Sequence, residues 1–421
     1  MRGAGIKPGI TVTEKSPARL LDLSRLVSRA GRVPTGIDRV ELAYLRAFLA
    51  ETVPVFALVR TAWGYVLLDR QGCNALLDRL DGRVDWGKAD LLSALRRKLP
   101  QTRQRAEADL RLISHARFLP FRLPRMLIRN LPQGTIYVNV GHANISGHVM
   151  KSVSHALNGR VAVMIHDTIP LDFPHFQRAG SVERFRALLG LVQRHASLIL
   201  CNSSQTRNDV IRHMSASGQV PETLVAALGV DVPIPDQHVV WPVGFVRNRP
   251  CFVTIGTIEP RKNHMFLLDI WAAMVAALPV EQVPQLLICG GRGWNNADVF
   301  DRLDNDAMMG RHVFEISGLS DGQISALLQH AKGALFPSHA EGFGLPPAEA
   351  LAQGVPVLCN DLEIYHEILG DYPVYASTQD SYLWRKEILM MASGQKIGQS
   401  AGKGYEAPSW RAHFNAVLSW S

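Results

Sequence analysis

The amino-acid sequence predicts an α/β protein made of two Rossmann-like domains that face a cleft. Three observations lead to this prediction. The chain has 421 residues, enough for two domains with separate cores. Short β-branched runs alternate with amphipathic stretches in both halves, as in parallel sheets whose strands are joined by helices. A proline-rich stretch without periodicity, residues 231–250, predicts the linker between the halves.

The second half, residues 250–400, carries the clearer pattern of the two. Helices are expected at residues 264–278, 321–331 and 347–353, and strands at 251–256, 285–289, 312–316, 333–337 and 355–359. Each strand is a continuous apolar run, which indicates burial on both faces of a parallel sheet. Asp321 is the expected cap of the second helix.

The first half, residues 1–240, repeats the pattern less cleanly. A helix is expected at 37–49, and strands at 20–27, 53–60, 135–140, 161–165 and 198–201. Ser203 is placed to cap the helix that follows the last of these strands. In residues 405–421, Trp410, Phe414 and Leu418 recur at helical spacing, which predicts a closing helix that packs back on the first domain.

The composition excludes several classes of protein. Hydrophobic residues make up 47% of the chain and charged residues 19%, which indicates a globular protein. No apolar run reaches the roughly 18 residues of a membrane span. The start of the chain has no apolar core of a signal peptide, so none is expected. The five cysteines are scattered, which predicts buried thiols rather than disulfides or a zinc site.

The net charge of +8 is distributed unevenly along the chain. Residues 1–249 hold 34 basic and 19 acidic side chains, whereas residues 250–421 hold 11 basic and 18 acidic ones. The basic segment, residues 96–129, has ten Lys and Arg against Glu107 and Asp109. Its net charge of +8 equals that of the whole chain.

The second part of the basic segment interleaves Arg with Leu, Ile, Phe and Met. Pro120 and Pro124 exclude one regular helix through its middle. Exposed cations beside apolar side chains suit an anionic membrane surface, which is the partner expected here. Nucleic acid is not expected, because the chain has no nucleic-acid-binding motif. A solvated charged surface remains the alternative.

The densest candidate site lies at residues 339–360. A predicted strand is followed by a glycine-bearing turn at 341–345, and two prolines open a helix. The N–H groups of such a turn and the positive end of the helix can bind anions or hydroxyls. Glu341 and Glu349 flank the turn. This arrangement suits a nucleotide sugar; the alternative is a generic strand-to-helix turn with acidic caps.

A second candidate site, residues 256–263 (GTIEPRKN), follows the first strand of the second domain. Rossmann-like domains bind phosphates at this position. Arg261 and Lys262 stand where a glycine-rich motif would be, and together they can neutralise a diphosphate. Adjacent cations at the start of a helix oppose its dipole, and a bound anion would relieve that conflict. The alternative is a solvated helix N-terminus.

These residues resemble retaining glycosyltransferases of the GT-B fold, family 4. The resemblance rests on the E-x7-E pattern of Glu341 and Glu349 together with EPRKN at residues 259–263. Shorter motifs occur in the family's order: PTGIDR at 34–39, HDTIP at 166–170, GVD at 229–231 and GGRGW at 290–294. The resemblance is strongest in the second domain. Within the family, the chain looks most like bacterial mannosyltransferases of surface polysaccharide assembly.

The resemblance implies a role for each matching residue. Glu341 and His166 would lie at the catalytic centre, and Arg261 and Lys262 would stabilise the leaving diphosphate. Glu349 would bind the ribose hydroxyls. Further donor contacts, many of them through the backbone, would come from Gly36, Ile37, Leu319, Phe343, Gly344 and Leu345. Gly36 and Ile37 would approach the phosphate from the first domain, and the base would lie near residues 317–319.

Two further patterns were candidates for the site. Residues 304–306 form a DxD triplet, the manganese-binding signature of the other large glycosyltransferase fold, but they follow a helix rather than a strand. No metal is therefore expected there. His142 follows a predicted strand and is a candidate for the cleft wall, although a single His is more often a core or surface residue.

The family's retention of configuration is usually explained by front-face attack, in which the leaving phosphate takes the acceptor proton. The resemblance therefore implies no protein base, and no cofactor is expected beyond the nucleotide-sugar donor. It implies transfer of a hexose, for which mannose from GDP-mannose is one candidate, to a lipid-linked glycan at the inner face of the plasma membrane. A UDP-sugar donor and a catalytically silent GT-B glycan-binding or scaffold protein remain alternatives.

Overall fold

The structure is a computed structural model that describes residues 17–96, 98–239, 241–395 and 404–420. The expectation of no signal peptide falls on residues 1–16, outside the described residues, as does Arg97 of the basic segment. The chain forms two compact units. Unit 1 comprises Met1–Ala30, Glu41–Ala162 and Phe414–Ser421, and unit 2 comprises Gly31–Val40 and Val163–His413.

These units divide the chain differently from the boundaries that the sequence suggested. Residues 163–239 belong to the same unit as residues 250–395, and so do residues 31–40. The domain boundaries at 240, 250, 400 and 405 stay predictions. The difference arises because linker-like composition marks where the chain is irregular and carries no information about which segments pack together.

The strands and helices are numbered in chain order. The strands are β1 (Arg19–Asp22), β2 (Val55–Thr61), β3 (Gly64–Leu68), β4 (Ala116–Phe118), β5 (Ile136–Asn139), β6 (Val161–Ile165), β7 (Leu198–Cys201), β8 (Glu222–Val225), β9 (Cys251–Ile255), β10 (Gln285–Cys289), β11 (Val313–Ile316), β12 (Gly333–Phe336), β13 (Val357–Cys359) and β14 (Val374–Tyr375). The helices are α1 (Ser24–Ser28), α2 (Gly36–Ala50), α3 (Arg70–Leu80), α4 (Leu91–Ala94), α5 (Gln101–Leu112), α6 (Leu123–Asn130), α7 (Gly147–Ala156), α8 (Ile169–Asp172), α9 (Ser181–His195), α10 (Ser204–Ser215), α11 (His264–Ala277), α12 (Ala297–Asn305), α13 (Asp321–His330), α14 (Leu345–Ala352), α15 (Glu363–Leu369), α16 (Ser381–Ala392) and α17 (Trp410–Trp420). Short 3-10 turns lie at Pro120–Arg122, Pro174–Phe176, Pro260–Lys262 and Val280–Gln282.

Unit 1 contains a mixed sheet in which β1 pairs in parallel with β2 and with β5. On the other side of β2, strands β3 and β4 are added in antiparallel fashion. The parallel pattern expected for the first half is therefore wrong at this edge. Thr61 pairs with Gly64, so β2 and β3 are joined by a hairpin that needs no crossover helix.

The strand expected at residues 20–27 is also shorter in the structure. β1 ends at Asp22, and α1 begins two residues later. The side chain of Asp22 accepts a hydrogen bond from the N–H of Ser24 at 3.0 Å, and that of Glu41 accepts one from the N–H of Leu26 at 3.0 Å. These carboxylates satisfy N–H groups at the start of α1, which favours the helix over a continued strand.

Unit 2 is built around a six-stranded sheet with the order β11-β10-β9-β12-β13-β14. All of its pairings are parallel, which confirms the predicted parallel sheet. Its core contains the buried rings of Phe252, Trp271 and Trp384. The strand order reverses between β9 and β12, so the loops after these two strands diverge and leave a crevice at the carboxyl edge of the sheet.

The helix caps in unit 2 agree with the sequence in one case and differ in the other. Ser203 accepts a hydrogen bond from the N–H of Thr206 at 3.0 Å and caps α10, as predicted. The cap of α13 is Ser320 rather than Asp321, because Ser320 and Gln323 form a reciprocal capping box. Asp321 becomes the first residue of α13, where its side chain pairs with Arg39.

The basic segment belongs to unit 1 and is not one regular helix. It includes α5, the edge strand β4, a 3-10 turn at Pro120–Arg122 and α6. The two prolines interrupt the helical pattern as the sequence predicts. Within the described residues, no helix combines the length and the apolar character needed to span a bilayer. All five cysteines are free and buried.

Candidate functional site

The candidate site lies at the crevice where the strand order of the six-stranded sheet reverses. The loop after β9, residues 256–263, forms one side, and the loop after β12, residues 337–344, forms the other. Both candidate sites that the sequence suggested are therefore neighbours in unit 2. The backbone N–H of His339 donates to the carbonyl of Arg261 at 2.7 Å and fastens one loop to the other.

Arg261 and Lys262 lie in the 3-10 turn that precedes α11, and both meet the carboxylate of Glu341. Arg261 Nη1 lies 2.8 Å from Glu341 Oε2, and Lys262 Nζ lies 2.5 Å from Glu341 Oε1. Arg261 Nε also pairs with Glu259 Oε1 at 2.7 Å. The structure thus brings together three of the four residues that were expected at the catalytic centre.

Glu341 is a buried carboxylate with cations on both oxygens. Burial alone would raise its pKa, but Lys262 and Arg261 outweigh that effect and lower the pKa to about 2. The hydroxyl of Ser338 adds a hydrogen bond to Oε1 at 2.7 Å, and that of Tyr365 lies 3.5 Å away. Glu341 is therefore ionised throughout the physiological range.

The two adjacent cations have carboxylate partners within the protein. The sequence predicted that a bound anion would relieve their conflict with the helix dipole, and Glu259 and Glu341 already supply two negative charges beside them. Burial raises the pKa of Glu259 and lowers that of Lys262. Among the described residues, Arg261 bonds through Nε and Nη1, which leaves Nη2 for a ligand.

The HDTIP turn after β6 packs directly against the turn that carries Glu341. A Cβ atom at Gly342 would lie 2.9 Å from the carbonyl oxygen of His166 and 3.0 Å from Asp167 Oδ2, so only glycine permits this approach. His166 is buried, and its carbonyl accepts a hydrogen bond from Asn202 at 2.9 Å. Burial raises the pKa of Asp167, and Arg261 opposes that shift.

A small cavity of about 90 Å³ lies beside these two turns. Asp167 and Glu341 line it together with Phe173 and His339. Its volume holds a few water molecules rather than a sugar ring. Carboxylates and aromatic rings thus surround the space next to Glu341.

The remaining residues of the Glu341 turn form the start of α14. Phe343 is buried, Gly344 has a φ of 89°, and the helix begins at Leu345. The ring of Tyr365 covers Gly344, since a Cβ atom there would lie 2.9 Å from its Cε1. The turn therefore needs glycine at 344 both for its left-handed backbone and for space.

Glu349 lies on α14, and its partner is a residue to which the sequence gave no role. Arg39 Nη1 lies 2.5 Å from Glu349 Oε1, and Arg39 Nη2 lies 2.9 Å from Asp321 Oδ1. Burial raises the pKa of Glu349, and Arg39 opposes that effect. The ion pair joins the PTGIDR motif to the E-x7-E motif across 310 positions of sequence.

Gly36 and Ile37 are grouped with unit 2, the unit that holds the donor-binding candidates. A Cβ atom at Gly36 would meet only Leu345 Cδ1, at an ordinary 3.5 Å. Leu319 lies after β11 at the same carboxyl edge of the sheet as the other loops, and it is half-buried. The expected contact of Leu319 with the nucleotide base stays a prediction.

Two weaker candidates come from other segments of the chain. His142 belongs to unit 1 and has a φ of 57°. Asp304 and Asp306, at the end of α12, pair with arginines: Asp304 with Arg292 at 2.6 Å and Asp306 with Arg302 at 3.2 Å. Both carboxylates of the DxD triplet thus form ion pairs with arginines, which is typical of a surface ion-pair network.

Sequence reasoning missed four residues that shape the site, namely Arg39, Glu259, Ser338 and Tyr365. Arg39 and Glu259 lie inside motifs that were noticed, so the motifs themselves were the available signal. Ser338 and Tyr365 belong to no motif, and only the fold shows that they contact Glu341.

Comparison with protein families identifies the domain that holds these loops. Residues 240–382 match the family of glycosyl transferases group 1. This range includes Arg261, Lys262, Glu341 and Glu349. Residues 240–382 are therefore a glycosyltransferase domain of this group, which confirms the resemblance to glycosyltransferases; the family number 4 and the retention of configuration stay predictions.

Similar curated proteins are bacterial mannosyltransferases. The serotype-specific mannosyltransferase WbdA of Escherichia coli is 26% identical over 226 residues, which are 51% of this chain and 27% of WbdA. O-antigen chain mannosyltransferase B of Escherichia coli is 26% identical over 232 residues, 52% of this chain and 58% of that protein. The chain thus spans between about a quarter and three fifths of these relatives.

Solved structures identify the fold. Anabaena Alr3699/HepE, solved in complex with UDP and glucose, superposes with a TM-score of 0.56 at 15% identity. The match covers 96% of this chain and 95% of that one. Together with the parallel sheets, it confirms the α/β, GT-B fold class that the sequence predicts.

Proposed function

We propose that the chain is a retaining glycosyltransferase that moves a hexose, with mannose from GDP-mannose as the leading candidate, to a lipid-linked glycan in bacterial surface polysaccharide synthesis. The observation that carries the proposal is the cluster of Arg261, Lys262 and Glu341 at the switch point of a parallel sheet. The mannosyltransferase relatives support the choice of sugar.

The chemistry of transfer fits the side chains at this position. Departure of a nucleoside diphosphate develops negative charge, and buried cations fixed before the reaction stabilise it without reorganising. Arg261 and Lys262 are held in place by Glu259 and Glu341. On donor binding, the diphosphate takes N–H donors of Arg261 and Lys262, and Glu341 turns toward the sugar hydroxyls.

The other residues surround the donor. The turn of Phe343, Gly344 and Leu345 presents backbone N–H groups at the start of α14, where oxygens of the sugar bind. Glu349 binds the ribose, and His166 lies beside the transferred sugar. The proposal assigns no protein base and no metal, since the leaving phosphate takes the acceptor proton and Arg261 and Lys262 carry the positive charge.

The donor and the catalytic cations can be tested in one assay. Incubation with GDP-mannose, UDP-glucose and related donors, with bacterial lipid extract as the acceptor source, should release one nucleoside diphosphate, detected by mass spectrometry. Changing Arg261 and Lys262 to Ala together should lower turnover by at least about a hundred-fold, since removal of a single preorganised donor already costs that much.

The matched control is a second pair of consecutive cations, Arg385 and Lys386 of α16, which lie outside the candidate site. Changing both of these to Ala should leave turnover unchanged. If the variant without Arg261 and Lys262 turned over as fast as the wild type, the assignment of these residues to the catalytic site would be wrong. Release of UDP alone would select the UDP-sugar alternative. A folded wild-type protein that releases no nucleoside diphosphate from any donor would favour the catalytically silent glycan-binding or scaffold protein.

We also propose that the enzyme works in the cytoplasm, peripherally at the inner face of the plasma membrane. The support is the outer part of the basic segment, where Arg117, Arg122, Arg125 and Arg129 are exposed beside apolar side chains. A lipid-linked acceptor would be presented at such a surface.

A further inference from the structure

The guanidinium of Arg39 lies between two carboxylates of unit 2. It contacts Glu349 on α14 at 2.5 Å and Asp321 on α13 at 2.9 Å. The side chain of Glu349 is only 9% exposed, whereas that of Asp321 is 44% exposed. Arg39 therefore meets one carboxylate that water can stabilise and one that water hardly reaches.

The charges around Glu349 make Arg39 important for its ionisation. Burial favours the neutral carboxylic acid, and the negative charges of Asp321 and Asp231 act in the same direction. Arg39 is the cation that opposes them. A neutral Glu349 would lose the charge-assisted hydrogen bonds that a carboxylate makes with hydroxyl groups.

The geometry also leaves room for a ligand. Arg39 bonds to Oε1 of Glu349, and among the described residues Oε2 has no hydrogen bond. A carboxylate oxygen can accept two hydrogen bonds, so the pair can hold Glu349 in one rotamer while a ligand binds to Oε2. Glu349 therefore need not leave Arg39 in order to bind a diol.

We propose that Arg39 is a positioning residue for the nucleotide: it keeps Glu349 ionised and oriented so that this carboxylate accepts hydrogen bonds from the ribose hydroxyls. The inference rests on the proposed function, in which Glu349 binds the ribose. Arg39 itself acts through Glu349 and takes no part in the transfer.

The test is calorimetric binding of GDP and UDP between pH 6 and pH 8.5. The proteins are the wild type and the variants Arg39→Gln, Arg39→Lys, Glu349→Gln and Arg39→Gln/Glu349→Gln. The quantity compared is the ratio of each variant's dissociation constant to that of the wild type, because the ratio cancels titration of the nucleotide itself. Arg302→Gln, which removes ion pairs with Asp269 and Asp306 elsewhere in unit 2, is the control.

At pH 7, Arg39→Gln should weaken binding by about ten-fold, the equivalent of one pH unit of altered ionisation. The loss should shrink as the pH rises, because Glu349 then ionises without help. Arg39→Lys should restore most of the affinity. The double variant should bind no more weakly than Glu349→Gln alone, since both changes act on one carboxylate. Arg302→Gln should bind as the wild type does.

Two results would overturn the inference, and they are distinguishable. A loss in Arg39→Gln that is the same at every pH and adds to that of Glu349→Gln would show that Arg39 acts independently of Glu349, with the proposed function intact. A wild-type protein that binds neither GDP nor UDP would overturn the proposed function and the inference with it.

Discussion

Glu341 is the residue on which the electrostatics of the candidate site depend. A buried carboxylate is stable only when cations compensate it, and buried cations equally need an anion. Arg261 and Lys262 bind it at 2.8 and 2.5 Å. The site is therefore organised before a donor arrives, and a diphosphate would exchange with existing ion pairs instead of filling an uncompensated positive pocket.

The depressed pKa of Glu341 makes a prediction about stability. Its pKa of about 2 in the folded protein lies below the ordinary value of 4.5. The corresponding stabilisation, on the order of 3 kcal/mol, is fully present above about pH 4.5 and is lost as the pH falls toward 2. Glu341→Gln should therefore lower the free energy of unfolding most at pH 5–7, as measured by urea denaturation.

Between pH 5 and pH 3.5, the difference between the wild type and Glu341→Gln should shrink by roughly 1 kcal/mol. Glu281→Gln, at an exposed position in unit 2, is the control and should change stability little at any pH. A difference between the wild type and Glu341→Gln that does not vary over this range would show that Glu341 is not held ionised by Arg261 and Lys262.

At the same scale, the sequence identified the charged residues of the candidate site better than the residues that pair with them. Glu341, Arg261 and Lys262 stood out because charged side chains at strand ends and glycine turns are unusual. Their mutual pairing did not, because the residues lie about 80 positions apart in the chain. Arg39 and Glu349 show the same limit, since spacing within a motif carries no information on a partner in another motif.

Among the structural elements, the turn into α14 is constrained in two ways at one residue. Gly344 combines a φ of 89° with close contact to the ring of Tyr365. A side chain there would strain the backbone and also push the ring, whose hydroxyl lies 3.5 Å from Glu341. The shape of this turn is thus coupled to the carboxylate that precedes it.

Gly344→Ala should lower the free energy of unfolding by about 2–3 kcal/mol, because left-handed strain of about 1–2 kcal/mol adds to the clash with Tyr365. Gly310→Ala separates the two effects: its φ is 72°, and a Cβ atom there would meet nothing within 4 Å. In this control, the free energy of unfolding should fall only by the cost of the left-handed strain. If thermal or urea unfolding showed the same loss of stability in Gly344→Ala and Gly310→Ala, contact with Tyr365 would not contribute to the cost at position 344.

The elements of the two units differ in how well the sequence predicts them. β10 lies where it was expected, and β9 and β12 agree to within about two residues, because buried parallel strands produce continuous apolar runs. The helix α11 agrees equally closely. In unit 1, β3 and β4 were missed. β4 has only three residues and includes the exposed Arg117, so it produces no such run. β3 is a buried apolar run, but it is only five residues long and was not assigned.

For the whole molecule, the structure shows which cations of the basic segment are exposed and which pair within the protein. Several of its cations are used internally: Arg103 pairs with Glu107, and Arg111 pairs with Asp90. Arg117, Arg122, Arg125 and Arg129 are exposed and make no ion pair with a described residue. Exposed apolar side chains accompany them, namely Leu119, Phe121 and Ile128. We call these seven residues the basic face of unit 1.

The basic face should bind vesicles that contain anionic lipid. Each exposed cation contributes about 1 kcal/mol at such a surface, so changing its four arginines to Gln should reduce partitioning by up to about a thousand-fold. The measurement is flotation with phosphatidylglycerol vesicles at low and high salt. Salt should weaken the binding of the wild type, because screening acts on exposed charges.

A control with the same change in net charge keeps the test specific. Arg184, Arg186, Arg247 and Arg311 are exposed residues of unit 2, and changing all four to Gln should leave flotation nearly unchanged. If both quadruple variants floated equally well, or if the wild type did not bind, the basic face would be an ordinary solvated surface.

The discontinuous composition of unit 1 has a consequence for biosynthesis. Phe414, in α17, packs edge-on against Tyr44 of α2 at 5.0 Å between ring centroids, although 370 positions separate them. A ribosome delivers residues in chain order, so the 370 positions between Tyr44 and Phe414 must be translated before this contact can form. During that interval the face of Tyr44 that Phe414 covers in the folded unit lacks this partner, so a partly synthesised unit 1 exposes aromatic surface that the folded unit buries.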